Sequence, residues 1–276
     1  MKTVAIVSTV GGAGRTTVTA ELATLLAWHG HPALAVECDP RGLLGFHFGL
    51  RAPAALGLCN APSWNQAGQR SDDGVLFVPW GDPGDVVAQA LMAERMQREP
   101  HWLRGLLAQV DLPANAVVLI DSAPWPSLYA RQAIAAADLV LMLAPPLPQA
   151  CATLPALRAA LKDTGVAVAC AVTRLQPARQ LHTDISVLLR ATLGGEMLPY
   201  EVHEDAAVPE AFARGESFCR STPYSQAAHD LQGLASWVSG WSILATGGKS
   251  GPASVQGMRD MAASQASGAA PDRAMS

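Results

Sequence analysis

The chain has 276 residues, of which half are hydrophobic and 15% are charged, and its formal net charge at pH 7 is −4. This composition is typical of a globular protein with a sizeable core, and the acidic balance disfavours a general nucleic-acid or anionic-membrane surface. The five cysteines form no CxxC pair, which disfavours a zinc site. Because we find neither a signal-peptide pattern nor ~18 consecutive apolar residues, we expect a cytoplasmic protein.

The first forty residues predict a strand, a glycine-rich loop, a helix and a second strand. Residues 3–9 (TVAIVST) are apolar on both faces, as in a buried parallel strand. The helix at 16–28 ends before Gly30 and Pro32, and ALAVE (33–37) forms the next strand. The apolar face of this helix carries Val18, Leu22, Leu25 and Leu26. This order predicts an α/β fold with a doubly wound, mainly parallel sheet flanked by helices.

The same alternation continues along the chain and predicts six to eight mainly parallel strands. Further strands are expected at 75–81, 117–121, 138–144, 166–173 and 197–199. Further helices are expected at 84–109, 127–137, 150–163, 179–193, 207–214 and 223–240.

Two segments depart from this alternation. Residues 51–74 are rich in Pro, Gly and polar turns, which indicates a surface excursion rather than a domain boundary. Residues 245–276 consist largely of Gly, Ser, Ala, Pro and Met without periodicity, which predicts a disordered tail. We therefore expect one domain over 1–244.

The glycine-rich loop TVGGAGRTT (9–17) is suited to bind phosphate groups. Gly11, Gly12, Ala13 and Gly14 allow main-chain N–H groups to approach phosphate oxygens, and the following helix adds its positive end. Arg15 supplies a cation, and Thr16 stands where a hydroxyl binds Mg²⁺, with Thr17 placed for the α-phosphate. The alternative is a tight strand-to-helix turn that binds no ligand.

Two aspartates follow predicted parallel strands and are expected at the same sheet edge as the loop. Asp121 ends VVLID (117–121), where a carboxylate can hold Mg²⁺ through water. Asp39 follows the second strand and could orient the water that attacks a γ-phosphate. Each aspartate has a simpler interpretation as a cap of the next turn.

The motifs TVGGAGRTT, ECDPRG and VVLIDSAP together resemble the deviant-Walker ParA/MinD family of P-loop ATPases. Three longer stretches are similar to its BcsQ (YhjQ) branch from bacterial cellulose-synthase operons, and the likeness covers residues 1–241. These stretches are LLGFHFGL, DLVLMLAPPLPQACATLPALR and LPYEVHEDAAVPEAFARGESFCRSTPYSQAAHDL.

This resemblance implies a set of roles for individual residues. It implies a ParA/MinD-like P-loop fold, a phosphate loop at 11–17, a first switch at Asp39 and a second switch at 121–124. Thr173 falls where many members carry an adenine-reading asparagine, and Pro199 with the loop after it would close over the base.

The resemblance also implies cofactors, partners and location. Family members form homodimers bridged by two ATP molecules, so ATP and Mg²⁺ are the expected cofactors. The BcsQ branch is implicated in assembling or localising the cellulose-secretion machinery with a small partner protein. We therefore expect peripheral association with the inner membrane only through partners.

Two departures from the family pattern predict slow or absent hydrolysis. Val10 replaces the lysine that crosses the dimer interface, and the loss of a charge-stabilising donor typically costs ~3 kcal/mol or more. Arg15 replaces the lysine of the loop with a broader planar cation. Glu37 replaces the first aspartate of the family's DxDP motif with another acid, which is a milder change than those at Val10 and Arg15. Thr173 lacks the amide group with which other members read adenine. Because Asp39 is retained, slow turnover stays possible.

Several features of the sequence are compatible with functions other than a slow nucleotide-binding protein. Leu231, Leu234, Val238 and Trp241 recur at helical spacing and could form a membrane-contacting helix, but the absence of Lys and Arg between 225 and 244 favours a packed helix. An active ATPase that positions cargo or DNA is the main rival, and a fold that has lost nucleotide binding is another. Nucleic-acid binding would use the arginines at 174, 179, 190, 214 and 220, but solvated faces and dimer contacts explain these arginines equally well.

Overall fold

The computed structural model describes residues 1–247. Of the predicted tail at 245–276, the first three positions continue the last helix and the remainder lies outside the described residues.

Eight strands within residues 1–247 form one sheet, as predicted. Its order is β3-β4-β2-β5-β1-β6-β7-β8, and every neighbouring pair is parallel except β3 and β4. The strands are β1 (Lys2–Val7), β2 (Ala33–Cys38), β3 (Gln69–Arg70), β4 (Leu76–Val78), β5 (Val117–Ser122), β6 (Leu139–Ala144), β7 (Ala167–Leu175) and β8 (Met197–His203). The doubly wound, mainly parallel fold is confirmed.

Eleven α-helices occur over the same residues and cover both faces of the sheet. They are α1 (Arg15–Trp28), α2 (Leu44–His47), α3 (Trp64–Ala67), α4 (Val86–Arg98), α5 (Trp102–Leu107), α6 (Leu128–Ala136), α7 (Pro148–Lys162), α8 (Gln180–Leu193), α9 (Ala207–Arg214), α10 (Phe218–Ser221) and α11 (Gln226–Gly247). Helices α1 and α11 share one hydrophobic core with the sheet, and α5 to α8 share the other.

Periodicity predicted the packed elements well. The four apolar residues of the α1 face are at most 3% exposed, and β5 is buried along its whole length. The apolar face of α11 packs against α1 and β8, which confirms the interpretation of a packed last helix. Over the residues described, none of the helices has the length and apolar character needed to cross a bilayer.

The structure corrects three boundaries. The helix predicted at 84–109 is two helices, because Pro100 pushes Glu99 out of helical geometry after α4 ends at Arg98. The strand predicted at 197–199 continues to His203. The excursion at 51–74 contributes α3 and the antiparallel edge strand β3.

The strand order determines where a ligand can bind. Strand β1 lies between β5 and β6. Strands β2 to β5 lie on one side of β1, and strands β6 to β8 lie on the other, so the direction of strand addition reverses at β1. In doubly wound sheets, ligands bind beyond the carboxyl ends of the strands at such a switch point. The loop after β1 and the carboxyl ends of β2 and β5 meet there, and Asp121 pairs in register with both Ile6 and Glu37.

Candidate functional site

The loop between β1 and α1 has the backbone that a phosphate cradle requires. Gly12 and Gly14 have φ values of 71° and 86°, which residues other than glycine rarely adopt. Gly14 is the N-cap of α1, so the N–H groups of the first turn face the loop. A Cβ placed on Gly11 or Gly14 would meet no described atom within 4 Å. The loop is therefore open on the side where a ligand would approach.

A cavity of about 860 Å³ adjoins this loop, and its size is in the range of small-molecule sites. Its walls are formed by the loop with the start of α1, residues 41–47 after β2, the end of β7, the segment from Val202 to Pro209, and side chains of α9 and α11. The predicted site residues that line it are Gly12, Ala13, Gly14, Arg15, Thr16, Thr17 and Thr173. The fold thus brings most of the predicted nucleotide-binding residues to one cavity.

Asp121 has the environment of a metal-binding carboxyl group. It is 1% exposed, and neither carboxyl oxygen has a hydrogen-bond partner of normal geometry among residues 1–247. Burial and the neighbouring Glu37 raise its pKa to about 8, while the Thr16 hydroxyl lies near enough to lower that pKa. A buried carboxyl group without partners is costly unless something satisfies it. Since Mg²⁺ prefers oxygen ligands, Asp121 and Thr16 fit the predicted magnesium site.

Arg15 is turned toward main-chain carbonyl groups. It is 3% exposed, its Nε donates to the Ser122 carbonyl at 2.7 Å, and its Nη1 donates to the Val10 carbonyl at 2.9 Å. Burial lowers the pKa of Arg15, and the negative charge of Asp121 partly offsets this by raising it. The guanidinium group therefore joins the phosphate loop to the end of β5. The Val10 side chain packs against the hydrophobic core and brings no charge.

Asp39, the predicted catalytic residue, is held by Arg41. Asp39 is 3% exposed, and both of its oxygens accept hydrogen bonds from the Arg41 guanidinium, with Nη2 to Oδ2 at 2.5 Å. The main-chain N–H of Arg41 also donates to Oδ1 at 3.1 Å. Asp39 thus lies beside the site with its carboxylate already engaged. Arg41 was not among the residues predicted for the site.

Glu37 has a structural role. It is fully buried, and its two oxygens accept hydrogen bonds from the N–H groups of Leu44 at 2.8 Å and Trp80 at 2.9 Å. Burial raises its pKa to about 7. These bonds attach the end of β2 to α2 and to the segment after β4, which positions the loop that carries Asp39.

The end of β7 touches the back of the phosphate loop. The Thr173 hydroxyl donates to the Ala13 carbonyl at 2.9 Å, and Nη1 of Arg174 donates to the Gly12 carbonyl at 3.0 Å. Arg174 also forms an ion pair with Glu204. It has a φ of 56°, a backbone conformation that is strained for a residue with a side chain and often marks a functional site. Sequence reasoning treated Arg174 only as one of several basic surface residues.

Pro199 is not brought to the cavity. It is an exposed residue of β8, whereas the wall of the cavity is formed by the residues that follow, from Val202 to Pro209. Within this wall, Nδ1 of His203 lies 2.7 Å from Oδ2 of Asp230. The segment from Val202 to Pro209 therefore lines the cavity, whereas Pro199, for which the resemblance implied a part in covering the base, does not.

Comparisons with known proteins agree with this architecture. The sequence model of the family described as "Cellulose biosynthesis protein BcsQ" matches residues 1–238. No curated protein matches the chain at a significant level.

Solved structures show the fold. The cell division ATPase MinD of Pyrococcus furiosus is 22% identical, with a TM-score of 0.72 over 87% of this chain and 99% of that one. The septum site-determining protein MinD of Pyrococcus horikoshii, complexed with Mg-ADP, is 21% identical, with a TM-score of 0.69 over 86% and 95%. Cobyrinic acid a,c-diamide synthase of Mycobacterium smegmatis, with a bound ATP analogue and magnesium, is 17% identical, with a TM-score of 0.70 over 86% and 94%.

Proposed function

Because the chain belongs to the BcsQ family of cellulose biosynthesis proteins, we propose that it binds ATP with Mg²⁺ and acts as a nucleotide-bridged homodimer. In this role it is a scaffold or slow switch that supports assembly or localisation of a bacterial cellulose-secretion complex. Its expected partners are components of that complex and a small partner protein. The protein would be cytoplasmic and reach the inner membrane through those partners.

The observation that carries this proposal is the buried Asp121 carboxyl group, which has no hydrogen-bond partner of normal geometry within residues 1–247 and lies beside Thr16 and an open glycine loop. A fold that had lost its ligand would be expected to satisfy or replace such a group. Gly11 to Gly14 would surround the phosphates with main-chain N–H groups, and Thr16 and Asp121 would hold Mg²⁺, directly or through water. The ion would supply charge neutralisation at the phosphates.

Slow turnover follows from the charges around the loop. Val10 offers no cation to a partner subunit, and two donors of Arg15 are already bonded to main-chain carbonyls. Asp39, the candidate for orienting an attacking water, is held by Arg41. Electrostatic donors that act on developing charge contribute about 100- to 1000-fold each in rate, so their loss or engagement favours binding over hydrolysis.

An active ATPase that positions cargo or DNA is the second candidate. The retained Asp39 and two arginines that line the cavity, Arg41 and Arg174, favour it. The net charge of −4 disfavours DNA as the cargo. Nucleotide turnover measured with partner proteins present separates the two functions, since rapid hydrolysis that Asp39→Ala abolishes would favour the enzyme.

The proposed function is tested by calorimetry and size-exclusion chromatography with ATP and Mg²⁺. We expect the wild-type protein to bind ATP and to elute as a dimer only when ATP is present. Thr16→Ala should weaken binding in the presence of Mg²⁺. Thr192→Ala removes a hydroxyl whose bond is to its own helix α8, so it should behave like the wild type. A wild-type protein that binds no nucleoside triphosphate and stays monomeric would refute the proposal.

A further inference from the structure

We propose that Arg41 senses the terminal phosphate of a bound nucleoside triphosphate by leaving Asp39 for that phosphate. Without a triphosphate, Arg41 keeps the Asp39 carboxylate engaged, and with one it releases the carboxylate toward the site. This inference rests on the proposed nucleotide binding and adds the residue that distinguishes a triphosphate from a diphosphate.

The two partners of this ion pair differ in their freedom to move. The Arg41 side chain is 50% exposed, whereas that of Asp39 is 4% exposed. An ion pair with a half-exposed partner is weak because water screens it and the long side chain loses rotamer freedom. The guanidinium group is therefore free to move when a stronger acceptor replaces Asp39, while the buried carboxylate stays where β2 ends.

Asp39 keeps its position when the guanidinium group departs. Its Oδ1 also accepts a hydrogen bond from the main-chain N–H of Arg41 at 3.1 Å, and that bond does not depend on the arginine side chain. The loop itself is held through Glu37, whose oxygens bind the N–H groups of Leu44 and Trp80. Movement of the Arg41 side chain thus changes the charge environment of Asp39 without displacing it.

Arg41 is placed to reach a phosphate. It lines the same cavity as Arg15 and Thr16, and the Arg41 charge contributes to lowering the Arg15 pKa, which puts the two guanidinium groups within electrostatic range. Guanidinium groups bind phosphate through paired, charge-assisted hydrogen bonds that are stronger than bonds to neutral acceptors. A triphosphate brings more negative charge than one carboxylate, so it competes for Arg41.

The other cations of the cavity have different tasks. Arg15 is buried and bonded to the carbonyl groups of Val10 and Ser122. Arg174 is bonded to the Gly12 carbonyl and paired with Glu204, on the side of the segment from Val202 to Pro209. Arg41 and Arg174 are about equally exposed, at 50% and 52%, but Arg174 is bonded to the phosphate loop whereas Arg41 is bonded to Asp39.

Calorimetric titration with Mg²⁺ and either ADP or a non-hydrolysable ATP analogue tests this inference. In Arg41→Ala we expect affinity for the triphosphate to fall roughly 10- to 100-fold, as for loss of a hydrogen bond to a charged group. Affinity for ADP should change less than about threefold, because ADP lacks the phosphate that Arg41 senses. Arg41→Lys should recover part of the triphosphate affinity. Arg51→Ala, which removes an exposed arginine outside the cavity, should match the wild type.

A double-mutant cycle tests the exchange of partners. Asp39→Asn removes the competitor for Arg41, so it should tighten triphosphate binding in the wild-type background but not in Arg41→Ala. If Asp39→Asn tightens binding equally in both backgrounds, general electrostatics explains it and the exchange is refuted. Equal losses of ADP and triphosphate affinity in Arg41→Ala, or no loss, would also refute it. A wild-type protein that binds neither nucleotide would instead refute the proposed function, and this inference with it.

Discussion

Two buried carboxyl groups, Glu21 in α1 and Asp121 at the end of β5, are each 1% exposed and have opposite surroundings. Glu21 accepts hydrogen bonds from the Ser217 hydroxyl at 2.7 Å and from the N–H groups of Phe218 at 2.8 Å and Cys219 at 3.1 Å. Asp121 has no partner of normal geometry among residues 1–247.

These surroundings distinguish a structural acid from a binding acid in this fold. Burial of a carboxylate is unfavourable unless protein donors replace the hydrogen bonds that it loses to water, as they do around Glu21. Asp121 is left unsatisfied at the edge of the sheet where a ligand would bind, so its completion is expected from outside the chain. Glu21 should therefore control stability, and Asp121 should control binding.

The largest expected effect concerns Glu21. Glu21→Ala leaves two buried N–H groups and a hydroxyl without their acceptor, and we expect the free energy of unfolding to fall by about 3 kcal/mol. Urea denaturation followed by circular dichroism measures it. Glu94→Ala, which removes an exposed glutamate of α4, should change that free energy by less than about 0.5 kcal/mol. Equally small effects of both variants would show that Glu21 is not a structural acid.

The second prediction concerns Asp121 and magnesium. In Asp121→Asn, ATP affinity measured with Mg²⁺ should fall roughly 10- to 100-fold, the usual effect of losing a group that orients a metal or its water ligands. Affinity measured with a chelator should match the wild type, and the unfolding free energy without Mg²⁺ should not decrease. Equal losses with and without Mg²⁺ would show that Asp121 does not act through the metal.

The third prediction is the pH dependence of stability without ligand. The pKa of Asp121 is raised from 3.8 to about 8 by burial, so between these values the folded state keeps a proton that the unfolded state loses. The free energy of unfolding therefore falls as pH rises through this window, by about 2 kcal/mol between pH 6 and 8.

The control for this pH dependence is Asp121→Asn, which should lose the Asp121 contribution and keep that of Glu37, whose pKa is raised to about 7. Thermal denaturation of both proteins in matched buffers at pH 6 and 8 measures the difference. The same slope in the variant would contradict the assignment to Asp121.

The smallest effect is expected at Ser217. Ser217→Ala removes one of three donors to Glu21 and the side-chain cap of α10, while the two N–H donors remain. We expect a loss of about 1 kcal/mol in unfolding free energy, measured by the same urea titration. Ser236→Ala removes a hydroxyl bonded only within α11 and serves as the control. A loss as large as that of Glu21→Ala would mean that the hydroxyl dominates the cluster.

Much of the fold was predictable because its strands are buried on both faces and therefore appear as continuous apolar runs, such as VVLID. The phosphate loop and the sheet-edge positions of Asp39 and Asp121 followed from the same pattern. The break at Pro100 could also have been predicted, since proline disfavours helical geometry in the residue before it.

The contacts of Glu21 and Arg174 could not be predicted. Glu21 in an apolar helix has the appearance of any exposed glutamate, and its partners lie 196 to 198 residues away in the chain. The position of Arg174 against the Gly12 carbonyl likewise depends on a contact between residues 162 positions apart.

Local pattern and residue chemistry were enough to predict the succession of strands and helices along the chain, the glycine loop, and the residue types that a magnesium nucleotide needs. Which acids find hydrogen-bond donors, and which cations are already bonded, follows from the folded arrangement. Burial and hydrogen bonding depend on residues that are distant in sequence. Two chemically similar buried carboxyl groups therefore differ in role, with Glu21 a structural acid and Asp121 a candidate metal ligand.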